Sequence, residues 1–90
     1  MNTIKITADE IAAAREIETF DFSRKEYTNP VALAMTAAGY SHAWANRYTG
    51  LIGWTKDEVG CVQSMAPEAK SFLIAFDNYE PIQNVSFEVH

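Results

Sequence analysis

Apolar residues along this chain change their spacing several times, and each change marks an element. Thr3 to Thr7 alternates Ile4 and Ile6 with Thr and Lys, which predicts a short strand with one buried face, or else an extended lead-in. Thr7-Ala-Asp-Glu10 has capping-box spacing, with the Thr hydroxyl placed to accept from the backbone at Glu10 and Glu10 able to reach back. Asp9 and Glu10 also suit the positive end of a helix dipole. A helix is therefore predicted from about Ala8 to Glu18, burying Ile11, Ala14 and Ile17. Phe20 to Thr28 shows no period and reads as a loop.

Asn29-Pro30 is an N-cap followed by proline at the first helical position, and Gly39 supplies the stop. The helix between them carries Val31, Leu33, Ala34, Met35, Ala37 and Ala38, apolar nearly all round, so it belongs at the centre of the fold. From Ser41 to about Val62 the pattern is that of strands. Trp44 to Tyr48 and Leu51 to Trp54 flank a turn at Thr49-Gly50; a polar turn at Thr55 to Glu58 leads to a third strand at Val59 to Gln63. Pro67 opens another helix, with Ala69, Phe72, Leu73 and Phe76 on one face until Tyr79-Glu-Pro81 breaks it. In the last strand Val85, Phe87 and Val89 point one way, while Ser86 and Glu88 face solvent. This order predicts one α+β domain over residues 1–90: a small antiparallel sheet of three or four strands, covered on one face by two or three helices.

Composition narrows the function classes. An apolar fraction of 48% in 90 residues is enough for a real core. A net charge of −5 argues against a dedicated binder of phosphate backbones and makes direct nucleic-acid binding an unfavoured expectation. It suits solubility, or a basic partner. The single cysteine, Cys61, excludes an internal disulfide and a cysteine-based metal cluster. Its setting, Gly60-Cys-Val62, reads as a buried structural thiol. Met1 to Thr7 lacks the charged start and apolar run of a secretion signal, and no stretch is long enough to span a bilayer, so the expected location is the cytoplasm.

Catalytic and metal chemistry is not expected, nor is a cofactor. His42 and His90 lack ligand spacing, and Asp9-Glu10 and Asp57-Glu58 fall at a helix cap and a turn rather than as a poised acid–base pair. Glu16, Glu18, Asp21 and Glu26, interrupted by Arg24 and Lys25, read as a solvated face rather than a mimic of DNA.

The binding candidate is the aromatic segment from Tyr40 to Lys56. It holds His42, Trp44, Arg47, Tyr48, Trp54 and Lys56, with Arg24 and Lys25 as further charges. Trp, Tyr and Arg dominate interface hot spots because they bury large rigid area and keep a polar handle. Strict alternation would put His42, Trp44, Asn46 and Tyr48 on one face. Three readings stand: the tryptophans fill the core, they contact a protein, or they stack a nucleotide whose phosphate meets Arg24, Lys25 and Arg47.

Asn29-Pro-Val-Ala-Leu-Ala34, then Pro67-Glu-Ala-Lys-Ser-Phe-Leu-Ile-Ala-Phe-Asp77, Pro81 and Ser86-Phe-Glu-Val89 resemble a group of short uncharacterised bacteriophage and prophage proteins. The match covers roughly two thirds of the chain, mostly caps and core. Many members carry a cysteine where this chain has Asn29, so no thiol chemistry carries over. The resemblance implies a viral origin and, by class, a similarity to small phage inhibitors of host defence such as anti-CRISPR proteins. The expectation is a non-enzymatic protein in the host cytoplasm that binds a host protein or ribonucleoprotein complex, with a homodimer compatible. The other expectation is sequestration of a nucleotide or small molecule.

Overall fold

A computed structural model describes residues 2–20 and 25–89. Its elements are β1 (Asn2–Ile6), α1 (Ala8–Phe20), α2 (Lys25–Thr28), α3 (Pro30–Ala37), β2 (Ser41–Asn46), β3 (Leu51–Lys56), β4 (Val59–Ser64), α4 (Pro67–Asp77) and β5 (Val85–Val89). The fold is α+β, as the apolar pattern predicts. The strands divide into two antiparallel sheets, a β1-β5 pair and a β2-β3-β4 meander.

The terminal pair joins the two ends of the chain. Ile4 lies opposite Phe87 and Ile6 opposite Val85, so the inward residues of both strands meet one core. Ser86 and Glu88 are exposed, as the alternation requires. The meander is in register throughout β3 and β4, from Leu51 opposite Ser64 to Lys56 opposite Val59.

Helix α3 is the central element. Pro30, Val31, Ala32, Ala34 and Met35 are buried, and the helix packs against α1, α2, α4, β1 and β2. Such extensive burial over its first two turns is what an uncharged helix demands. Its start is set by Asn29, whose side chain accepts from the Ala32 N–H at 2.9 Å. Its end is a Schellman closure: Gly39 takes φ +101° while the Tyr40 N–H donates to the Met35 carbonyl at 3.0 Å. Helix α4 ends the same way, with the Glu80 N–H on the Ala75 carbonyl at 3.0 Å and Tyr79, not glycine, in the left-handed position at φ +56°. Tyr79 has a second task. Its ring and that of Phe76 sandwich the Arg15 guanidinium, 4.4 and 3.8 Å from the respective centroids, tying α1 to α4.

Several expectations need correction. Residues Phe20 to Thr28 are not simply a loop: α1 continues to Phe20, and a single helical turn, too short to show a period, occupies Lys25–Thr28. At the start of α1 the Glu10 side chain does reach back, but its carboxylate accepts from the Thr7 hydroxyl itself. The β2–β3 connection is four residues long, Arg47 to Gly50, so Arg47 and Tyr48 belong to a turn and not to a strand. The expected burial of Ile17 lies outside the described side chains.

Candidate functional site

The aromatic segment forms the β2–β3 hairpin, and its geometry follows from two local departures from regular strand. The first is a bulge near the start of β2. Ser41 pairs with Thr55 and Trp44 with Gly53, so two residues of β2 intervene where β3 has one, and His42 takes φ +52°. The bulge interrupts the alternation only near Ser41 and His42, and from Ala43 onward it holds as expected. Ala43 and Ala45 turn into the core with Ile52, while Trp44 and Asn46 turn to the opposite face.

That outer face can be read from the register. Trp44 stands beside Gly53 and Val62, and Asn46 beside Leu51 and Ser64. The Trp44 indole lies flat over Gly53, so close that a Cβ on Gly53 would fall 2.3 Å from a ring carbon. Glycine at this position is what allows the indole to lie on the sheet, and the indole in turn buries Gly53. Leu51 is half-buried and Val62 is 59% exposed. The row Trp44, Gly53, Val62 is apolar, and its flanking residues Asn46, Leu51, Thr55, Gly60 and Ser64 bear no charge. The helices pack against β1, β2 and β5, whereas β3 and β4 pack chiefly within their own sheet.

The second departure is the turn. Asn46 organises it as an Asx turn, its Oδ1 accepting from the Tyr48 N–H at 2.9 Å and the Thr49 N–H at 3.2 Å. Arg47 is held at its base by Asp77 at the end of α4, Nε to Oδ2 2.6 Å. The same guanidinium donates from Nη2 to the Tyr48 hydroxyl at 2.8 Å and lies 4.4 Å from the Tyr48 ring centroid. Tyr48 itself is 82% exposed. The exposed Tyr48 ring is thus tied through Arg47 to the end of α4.

The expected site residues therefore separate. Trp44 lies on the outer face, and Arg47 and Tyr48 meet each other in the turn at its end. Trp54 does not join them: it lies on the inner face, packs against the core and meets Tyr40 edge-on at 5.4 Å between centroids and 77° between planes. His42 and Lys56 are exposed at the opposite end of the hairpin, roughly 15 Å from the turn at about 3.3 Å per strand residue. Arg24 lies outside the described residues, and Lys25 opens α2 without a described side chain. Cys61 is half-buried, with its thiol 3.8 Å from the Val59 carbonyl.

Gly53, Asn46 and Asp77 were not among the expected site residues. Asn46 and Gly53 carried local signals, an Asx-turn residue before a polar turn and a glycine inside a strand pattern. Asp77 carried none, because its partner is 30 positions away in the chain. Among the described residues no group of three or more His, Cys, Asp and Glu is placed to hold a metal ion, and no helix is long and apolar enough to cross a membrane. The chain matches no protein-family model, no curated protein and no solved structure, so the reading of this site rests on its own residues.

Proposed function

We propose that this chain is a small phage-encoded binding protein that inhibits a host defence complex stoichiometrically, by covering a surface that complex needs. The observation that carries the reading is the outer face of the meander, Trp44 seated on Gly53 beside the exposed Val62, with the exposed Tyr48 of the adjoining β2–β3 turn tied through Arg47 to Asp77. Aromatic anchors with an uncharged surround are the composition of an interface centre, where charged groups are depleted. The remaining surface carries most of the net charge of −5 and would steer the chain towards a basic surface, such as one that holds nucleic acid. Viral origin rests on the resemblance of the Asn29–Ala34 and Pro67–Asp77 segments.

The test is capture from bacterial lysate on tagged protein, wild type against Trp44→Ala and Tyr48→Ala. The expected result is a host complex held in fixed ratio by wild type and lost by both variants, with unfolding midpoints little changed for the exposed Tyr48. Equal capture by all three proteins refutes the assignment of the surface. A small molecule or nucleotide that raises the unfolding midpoint, with no protein captured, refutes the inhibitor reading and supports sequestration.

A further inference from the structure

The two edges of the meander are treated differently. Alternation of the ladder fixes which backbone groups point outward. The Met65 N–H donates to the Gly50 carbonyl at 2.8 Å, so Met65, Gln63, Cys61 and Val59 turn their polar groups towards β3. Gly60, Val62 and Ser64 consequently turn theirs away, and among the described residues no strand lies beyond β4 in the sheet. On the other edge, the outward Ala45 carbonyl of β2 receives the Asn29 Nδ2 at 2.8 Å, and α2 and α3 pack there. The β2 edge is closed. The β4 edge is open, and it lacks the lysine, proline or inward charge that usually blunts an open edge.

We propose that β4 pairs antiparallel with β4 of a second copy, joining two meanders into one continuous sheet. A two-fold axis perpendicular to the sheet keeps the outer faces together, and the register that engages all three outward residues sets Val62 opposite its own copy and Gly60 opposite Ser64. That register forms about six main-chain hydrogen bonds. It is self-compatible for a specific reason. Under two-fold symmetry a charge at the centre of the strand would meet itself, and Val59-Gly60-Cys61-Val62-Gln63-Ser64 contains no charged residue. Val62, 59% exposed, meets its counterpart and extends the Trp44–Gly53–Val62 row across the axis. At each end the acidic turn Asp57-Glu58 of one copy lies beyond Ser64 of the other, near the segment where Lys70 reaches over Gly50. The pair presents two Trp44 rows on one sheet.

Sedimentation analysis of the full chain over a concentration series tests this. The wild type should show a monomer–dimer equilibrium. Val62→Lys and Val62→Glu should each weaken association at least about tenfold, since like charges then face each other, and an equimolar mixture should restore the dimer mass. Gly60→Pro, which removes an outward N–H without adding charge, should weaken it as well. A wild type that stays monomeric at every concentration overturns the proposal. So does growth beyond dimers, or a Val62→Lys variant that associates as well as wild type. Circular dichroism of each variant checks that the exposed substitution leaves the monomer folded; should Val62→Lys fail that check, Gly60→Pro decides.

Discussion

Replacing Asn29 by alanine removes three hydrogen bonds that join three elements. Its Oδ1 caps α3 at the Ala32 N–H, 2.9 Å, while its Nδ2 reaches the Ala45 carbonyl of β2 at 2.8 Å and the Glu26 carbonyl of α2 at 3.3 Å. The residue is 6% exposed and Ala45 is 1% exposed, so water does not replace the lost donor without a cavity. Loss of the cap costs about 1 kcal/mol. Stranding the buried Ala45 carbonyl costs about 1–3 kcal/mol more. The total of about 2–4 kcal/mol is a large part of the stability of a small domain, about 5–15 kcal/mol, and lowers the melting temperature by on the order of 10–30 °C. Denaturant unfolding followed by circular dichroism measures it. Asn29→Asp separates the two contributions: it keeps an acceptor for the cap but sets a carboxylate against two carbonyl oxygens, so it should be at least as destabilised as alanine. An aspartate variant with wild-type stability, or an alanine variant within about 0.5 kcal/mol of wild type, would refute the claim that the tie to β2 dominates.

Three other perturbations have defined outcomes. Asp57 and Glu58 both hold positive φ, +51° and +65°, in the two-residue turn between β3 and β4, so Glu58→Gly should raise stability by about 0.5–1.5 kcal/mol in a denaturant melt; a loss would show that the side chain makes compensating contacts. Gly53→Ala should unseat the Trp44 indole, shift its fluorescence to longer wavelength and cost about 1–3 kcal/mol; unchanged emission and stability would contradict the close approach. Arg47→Ala breaks the tie to Asp77, and should cost about 1–3 kcal/mol and loosen the turn, seen as faster amide exchange at Tyr48 and Thr49; unchanged exchange would mean that Asn46 alone orders it.

Elements with local punctuation were legible in the sequence, and long-range partnerships were not. Asn29-Pro30 and Gly39 bracket α3 closely because cap, fixed proline φ and glycine C′ act within a few residues. The stripe Ala69, Phe72, Leu73, Phe76 is buried as its period requires, and Phe87 and Val89 turn inward as their alternation requires. Nothing near Ile4 or Val85 says that they share a separate two-stranded sheet, since pairing depends on partners some 80 residues away. Alternation places Trp44 with Asn46 on one face and Ala43 with Ala45 on the other, as the pattern expects, but which face is the core is decided by packing. Trp44, opposite Gly53, faces outward, while Trp54, the next residue after Gly53, turns inward. The Arg47–Asp77 pair, which converts Arg47 from a free charge into the support of Tyr48, exists only once α4 is folded beside the hairpin.

Calorimetric titration of the captured host complex with wild type, Trp44→Ala and Tyr48→Ala decides whether the outer face of the meander and its adjoining turn are the binding surface. A fixed stoichiometry for wild type and at least about a tenfold loss of affinity for each variant are expected, the cost of removing a central aromatic anchor. Wild-type affinity in both variants would contradict that assignment and move the surface elsewhere on the molecule.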